Sequence, residues 1–151
     1  MKRFGPSYSK RDFCVEAERS YYQQKWPIQA RPYAHLKRYI GCLGFTGYFQ
    51  ARSVLEIGAG ESQYARLFAN ELDSKVTCAL ELFWERMYPA ASVNQNPRLK
   101  FIAGSCYELP FKDGSFEVVF GNGVLHHLPQ LQKAVLEIYR ILAPGGFYIG
   151  I

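Results

Sequence analysis

The sequence predicts an α/β fold in which helices cover both faces of a mainly parallel β-sheet. Short runs of aliphatic and β-branched residues alternate with stretches whose apolar residues recur every three or four positions, and glycine or proline turns separate them. Parallel neighbouring strands need long crossover connections, which the intervening helices supply. A chain of 151 residues can form one domain with its own core, so we expect a three-layer sandwich.

Three strands and two helices are predicted in the first part of this sheet. The run Val-Leu-Glu-Ile at 54–57 is closed by a glycine and predicts a buried strand. Further apolar runs predict strands over 75–80 and 99–103. Helical spacing of apolar residues predicts helices over 62–72 and 83–92, which would connect the three strands.

The second part of the sheet is predicted from two further apolar runs and a regular helix. A turn precedes a strand over 116–120, and the apolar face from Leu131 to Leu142 predicts the next helix. That helix is expected to stop near Ala143, because Pro144-Gly145-Gly146 cannot continue it. Residues 147–151 begin a fifth strand, and the chain ends inside it.

Residues 1–50 are predicted to form a helical cap segment that precedes a core over 51–151. This segment has nine Lys or Arg and three acidic residues, whereas residues 51–151 have nine Lys or Arg and ten acidic residues. Its basic and aromatic residues could contact nucleic acid or an anionic substrate. A solvated helix surface with aromatic anchors on the core is the favoured interpretation.

Composition restricts the class of protein. Apolar residues make up 48% of the chain and charged residues 21%, which is typical of globular domains. No run reaches the roughly 18 to 20 apolar residues that a membrane span needs, and no signal-type segment follows the N-terminus. We therefore expect a cytoplasmic protein without a membrane span. The four cysteines are far apart, so no metal site and no disulfide framework are expected.

The most specific local signal is the segment Val-Leu-Glu-Ile-Gly-Ala-Gly-Glu-Ser at 54–62. Gly58 and Gly60 permit backbone angles and a close approach that other residues block, so we expect a ligand over an open bend. Glu81 follows Gly60 by 21 residues and ends the second predicted strand, where such folds place an acid that binds ribose hydroxyls. This combination indicates a cofactor that contains adenosine.

The charges around the bend distinguish between a dinucleotide and S-adenosylmethionine. The sequence fingerprint of dinucleotide sites has a glycine at the position that Gln63 occupies in this chain. Glu56 and Glu61 flank the bend with negative charge, which repels a pyrophosphate and suits a sulfonium and an ammonium group. S-adenosylmethionine is therefore favoured, and a nicotinamide oxidoreductase is the last alternative.

Four motifs in order carry a resemblance to a known family. They are V-L-E-I-G-A-G-E-S, L-P-F-K-D-G-S-F-E-V-V, V-L-H-H-L and L-A-P-G-G. From about Ser53 to its end, the chain resembles the class I S-adenosylmethionine-dependent methyltransferases, particularly those labelled type 11. The resemblance implies a Rossmann-like sheet of seven strands. The last two are missing here, so we expect a truncated product, a clipped domain, or a form completed by a partner or a second copy at the fifth strand.

The resemblance also implies roles for individual residues. Glu56, Gly58, Ala59 and Gly60 would line the methionine end of the cofactor, and Glu81 would bind its ribose hydroxyls. Ser105 and Cys106 would line the adenine pocket, and Gly121 and Asn122 would lie beside the methyl donor. The cofactor-binding set is Glu56, Gly58, Ala59, Gly60, Glu81, Ser105, Cys106, Gly121 and Asn122. No catalytic residue is identified. The candidates are His126, His127 and Asn122, with a loop-shaping role favoured for the two histidines.

Two residues depart from the family pattern. Ser62 replaces a frequent glycine, which we expect to be tolerated because serine caps helices well. Ser105 replaces a usual aspartate, which predicts weaker binding of the adenine.

We expect an enzyme that transfers a methyl group from S-adenosylmethionine to a small-molecule, lipid or sugar acceptor. A catalytically inactive S-adenosylmethionine-binding fragment is one alternative, suggested by the missing strands and Ser105. A nucleic-acid methyltransferase is another, suggested by the basic N-terminal segment.

Overall fold

A computed structural model of the chain describes residues 51–72 and 74–150, which form five strands and three α-helices. The predicted cap segment over 1–50 lies outside the described residues. The strands are β1 (Ser53–Ile57), β2 (Val76–Glu81), β3 (Leu99–Ala103), β4 (Phe116–Gly121) and β5 (Leu142–Gly150). The helices are α1 (Gln63–Asn70), α2 (Trp84–Ser92) and α3 (Leu131–Ile141), and a short 3₁₀ helix covers Leu125–His127.

The five strands form one sheet in the order β3-β2-β1-β4-β5, and every neighbouring pair is parallel. The chain runs outward from β1 to β3 and then returns to place β4 on the other side of β1. In such sheets, ligands bind outside the carboxyl ends of the strands, at the point where the strand order reverses. The segments that follow β1, β2 and β4 are therefore the ones on which a site is expected.

Helices cover both faces of the sheet because neighbouring side chains of a strand point to opposite faces. Leu55 and Ile57 of β1 pack in one buried cluster with residues of α3. Val54 immediately precedes Leu55 and packs in another cluster with residues of α1. A third cluster joins α1 and α2 to Ala79 of β2. The predicted three-layer α/β sandwich with a parallel sheet is confirmed.

The element boundaries differ from the predictions mainly in β5. β2 extends to Glu81, which pairs with Ala103, and α1 covers 63–70 rather than 62–72. β5 was expected at 147 but starts at Leu142, which adopts an extended conformation at the end of α3 and pairs with Phe116. Its pairing then shifts register, and regular pairing resumes between Val118 and Phe147. The Pro144-Gly145-Gly146 segment thus forms an irregularity inside the strand.

In the described part of the chain, β5 is an edge strand that neighbours β4. Association through this edge remains a prediction. Among the helices that the structure describes, none combines the length and the apolar character that crossing a bilayer requires.

Gly145 and Gly146 offer a matched test of the irregularity in β5. A Cβ on Gly146 would lie 2.9 Å from the carbonyl oxygens of both Ala143 and Glu117, so backbone would have to move. Gly145 has a φ of 78° and nothing within 4 Å of a Cβ. We expect Gly146→Ala to lower the free energy of unfolding by about 2–3 kcal/mol, and Gly145→Ala by about 1 kcal/mol. Urea denaturation measures both, and equal losses would contradict this account.

Candidate functional site

The bend after β1 is built from three residues with left-handed backbone angles. The φ values are 58° at Gly58, 51° at Gly60 and 59° at Ser62. Between them, the N–H of Ala59 donates to the carbonyl of Leu80 at 3.0 Å, which ties the bend to the neighbouring strand β2. Glycine adopts such angles without steric strain, which is why the chain can turn here directly from β1 into α1.

Glu81 reaches this bend from the end of β2. The N–H of Gly60 donates to its Oε2 at 2.8 Å, and the N–H of Phe83 donates to its Oε1 at 3.1 Å. The residue is 4% exposed. The sequence prediction that Glu81 lies beside the Gly58–Gly60 bend agrees with this geometry, and the carboxylate also fixes the start of α2.

Glu56 lies beneath the bend rather than in it. Its Oε2 accepts the N–H of Ala65 at 2.7 Å in the first turn of α1. Burial is the main cause that raises its pKa from an ordinary value of 4.5 to about 8, and the charge of Glu81 raises it further. The carboxyl group is therefore largely protonated at neutral pH. Burial thus disfavours the negative charge that the sequence analysis assigned to Glu56.

Ser62 does not act as the helix cap that its residue type predicted. It precedes α1, but its side chain makes no capping hydrogen bond. Its Oγ is buried and has no hydrogen-bond partner among residues 51–72 and 74–150. The reason is its left-handed backbone, since a capping serine needs an extended conformation.

The bend is also less open than expected, because side chains lie against both glycines. A Cβ on Gly58 would meet Cγ2 of Val124 at 2.5 Å, and a Cβ on Gly60 would meet Nη2 of Arg86 at 2.8 Å. Val124 belongs to the segment after β4, so that segment borders the bend as the topology requires. The two glycines make room for protein side chains in this structure.

Gly121 and Asn122 lie at the carboxyl end of β4. Gly121 is buried, and a Cβ there would meet the hydroxyl of Tyr148 at 2.7 Å, so its lack of a side chain accommodates that ring. Asn122 is exposed, and its Nδ2 donates to the hydroxyl of Tyr64 near the start of α1 at 3.3 Å. The methyl-donor role that the resemblance implies for Gly121 and Asn122 remains a prediction.

His126 and His127 lie on the 3₁₀ helix, and both are exposed. Their ring centroids are 3.9 Å apart. Burial first, and then the neighbouring His126, lower the pKa of His127. This geometry agrees with loop shaping, and neither histidine is assigned a proton-transfer role.

Ser105 and Cys106 follow β3. The hydroxyl oxygen of Ser105 accepts the N–H of Tyr107 at 3.2 Å, so it stabilises the turn as the usual aspartate could. Cys106 is buried in the core cluster under α3. The adenine-binding role predicted for this pair stays a prediction.

Three residues near the site were missed in the sequence: Val124, Tyr148 and Arg86. Tyr148 carries a phenol into the edge of the core beside Gly121, and burial raises its pKa to about 12. Arg86 places a positive charge 3.9 Å from Oε2 of Glu81. A basic residue one turn into the helix that follows an acidic strand end was the available signal for Arg86. No local pattern indicated the other two.

Comparison with known families shows which family the chain belongs to. The family described as "Methyltransferase domain" matches residues 55–150, which include the end of β1, the glycine bend, Glu81 and the segment after β4. The chain belongs to this family. The resemblance inferred from the four motifs is confirmed.

Similar proteins include two that are named as methyltransferases. The methyltransferase domain is 37% identical over 59 residues to the sterol 4-C-methyltransferase strm-1 of Caenorhabditis elegans, covering 39% of this chain and 18% of that protein. It is 29% identical over 97 residues to the phthiotriol/phenolphthiotriol dimycocerosates methyltransferase of Mycobacterium tuberculosis, covering 64% of this chain and 36% of that protein. The chain thus spans about a third or less of the length of these relatives.

Solved structures share the fold. The YcgJ protein of Bacillus subtilis is 27% identical with a TM-score of 0.66, covering 76% of this chain and 50% of that one. An S-adenosylmethionine-dependent methyltransferase from Mesorhizobium loti has the same TM-score at 16% identity, covering 81% of this chain and 53% of that one. The Rossmann-like fold predicted for the methyltransferase domain is therefore confirmed.

The raised pKa of Glu56 predicts how stability depends on pH. The folded domain holds a proton that the unfolded chain releases near pH 4.5, so this group stabilises the fold below that pH. The contribution is lost as the pH rises to about 8. We expect Glu56→Gln to abolish a decline of several kcal/mol in unfolding free energy between pH 5 and 8.5. Urea denaturation across that range measures it, with the exposed Glu71→Gln as control. An unchanged slope in Glu56→Gln would refute the assignment.

Ser62 predicts a stabilising substitution in the methyltransferase domain. Ser62→Gly removes left-handed strain of about 1–2 kcal/mol and a buried hydroxyl that has no partner among the described residues, against a glycine entropy cost of about 0.5–1 kcal/mol. We expect a net gain of about 1 kcal/mol, with a smaller gain for Ser62→Ala, which keeps the strain. Thermal and urea unfolding measure both variants. A loss of stability in Ser62→Gly would show that the hydroxyl has a partner.

Proposed function

We propose that this methyltransferase domain binds S-adenosylmethionine outside the carboxyl ends of β1, β2 and β4 and transfers its methyl group to a small-molecule acceptor. One observation carries the proposal. The carboxylate of Glu81 is buried against the N–H of Gly60, in a bend whose backbone angles favour glycine. An acidic side chain at a glycine bend supplies acceptors for ribose hydroxyls and a backbone that a ligand can approach closely.

The described residues fit such a cofactor, provided that Arg86 moves. From residues 51–72 and 74–150, each oxygen of Glu81 accepts one backbone N–H, and a carboxylate oxygen can accept further hydrogen bonds. The buried Oγ of Ser62, which has no hydrogen-bond partner in the described part of the chain, is a polar group at the same bend. Arg86 is the long side chain that now lies against Gly60.

The chemistry of transfer places modest demands on the protein. When bound, S-adenosylmethionine supplies a methyl group that is activated by a positively charged sulfur. The chain then has to bind and orient the acceptor and to exclude water, since alignment of reacting atoms accounts for a large part of such a rate enhancement. We assign these tasks to the segment after β4, where Asn122 is tied to Tyr64 and Val124 lies against Gly58.

The acceptor is proposed to be an apolar small molecule of the lipid class. The support is that two relatives are named as methyltransferases of sterols and of phthiotriol compounds. Sugars and nucleic acids are the competing acceptors. We also propose a cytoplasmic location, supported by the buried cysteines Cys78 and Cys106, and self-association or partner pairing at the edge of β5.

Calorimetry with S-adenosylmethionine and S-adenosylhomocysteine tests cofactor binding. We expect the wild-type chain to bind both, and Glu81→Gln to lose at least tenfold in affinity, because hydrogen bonds to a charged carboxylate contribute about 1.5–3 kcal/mol. Glu71→Gln removes an equivalent charge from an exposed position and should leave affinity unchanged. Absence of binding by the wild-type chain would refute the proposal.

Transfer of a radiolabelled methyl group tests the acceptor class. Sterols and other lipids, sugars, and RNA are offered in parallel with the same enzyme preparation. Label in the lipid fraction supports the proposal, and label only in RNA or in sugars contradicts the acceptor class. Cofactor binding without label in any fraction would identify a catalytically inactive binding domain.

A further inference from the structure

We infer that Tyr64 is a positioning residue, which holds the carboxamide of Asn122 beside the sulfur of the bound cofactor and thereby favours S-adenosylmethionine over S-adenosylhomocysteine. This role of Tyr64 rests on the proposed function. It goes beyond that function because it gives the two ligands different affinities and names the side chain that causes the difference.

The hydroxyl of Tyr64 joins the segments that follow β1 and β4. Tyr64 is the second residue of α1, directly after the glycine bend, and Asn122 is the first residue after β4. The hydroxyl oxygen of Tyr64 accepts the Nδ2 N–H of Asn122 at 3.3 Å. Because β1 and β4 are parallel neighbours, both segments lie at the edge of the sheet where the proposed function puts the cofactor.

Tyr64 is held more firmly than Asn122. The N–H of the next residue, Ala65, donates to the buried carboxyl group of Glu56 at 2.7 Å, which fixes the first turn of α1. The ring of Tyr64 packs on the ring of Phe120 with centroids 4.8 Å apart, and Phe120 is fully buried in β4. Asn122 is exposed, and among the described residues its side chain bonds to Tyr64 and to no other. Tyr64 therefore determines how this carboxamide is oriented.

The place of the sulfur follows from the place of the ribose. In the proposed site the ribose lies at Glu81, which ends β2, and methyl transfer takes place at the segment after β4. The strand between them is β1. The sulfur is one carbon from the ribose, so we expect it on the β4 side of the ribose, toward Asn122.

A carboxamide distinguishes the two ligands by their charge. The sulfur of S-adenosylmethionine is positively charged, whereas that of S-adenosylhomocysteine is neutral. A carbonyl oxygen carries partial negative charge, so it attracts the first sulfur and hardly affects the second. Because Nδ2 of Asn122 is engaged by Tyr64, we assign Oδ1 to the sulfur. Without the hydroxyl, the exposed side chain samples several rotamers, and this attraction is averaged over them.

A double-mutant cycle tests the role of Tyr64. The full chain, Tyr64→Phe, Asn122→Ala and the double variant are each titrated by calorimetry with both ligands. We expect Tyr64→Phe, which keeps the ring, to weaken S-adenosylmethionine about threefold and to leave S-adenosylhomocysteine unchanged. Asn122→Ala should weaken S-adenosylmethionine at least as much, and the double variant no further. Tyr139→Phe is the matched control, since Tyr139 is 78% exposed on α3.

The outcomes separate the role of Tyr64 from the proposed function. An equal loss from Tyr64→Phe with and without Asn122 would overturn this role, because Tyr64 would then act independently of the carboxamide. Equal weakening of both ligands in Tyr64→Phe, or no weakening of either, would also overturn it while the proposed function stands. Asn122→Ala is an independent test at an exposed position, and an unchanged ratio of the two affinities in that variant would overturn the role as well. Failure of the wild-type chain to bind either ligand would overturn the proposed function itself.

Discussion

The buried carboxylate of Glu81 is the interaction on which the arrangement of this site depends. One oxygen holds the glycine bend after β1 through Gly60, and the other holds Phe83 at the start of α2. Because β1 and β2 are parallel neighbours, their carboxyl ends meet, and a single side chain can join the segments that follow them. Each of these hydrogen bonds has a charged acceptor, which makes it about twice as strong as a neutral one.

Two carboxyl groups near one bend have different environments and therefore different tasks. Glu56 lies under α1 with its pKa raised to about 8, so it acts as a largely neutral acceptor for a helix N–H at physiological pH. Glu81 has the Arg86 guanidinium within 3.9 Å. The proposed site thus pairs one neutral buried acid with one acid that lies beside a cation. This division follows from burial and from neighbouring charge, since the residue type is the same.

The glycine bend has a local structure that differs from the open bend that its sequence motif predicted. Three left-handed residues alternate along it, and the third is a serine whose hydroxyl is buried without a hydrogen bond in the described part of the chain. The motif indicated a bend that a ligand can approach. The structure places Val124 and Arg86 against the two glycines, so protein side chains occupy the space next to this backbone. We therefore regard access to the site as dependent on a side-chain movement.

The sequence by itself determined the order of strands and helices, the parallel sheet, the family, and the meeting of the glycine bend with Glu81. Hydrophobic periodicity and turn residues are local signals, and parallel topology then brings strand ends together. Tertiary structure alone decided the protonation of Glu56, the left-handed strain at Ser62, the early start of β5 and the position of Arg86. These depend on burial and on contacts between residues that are distant in sequence or held by another element, which no local pattern encodes.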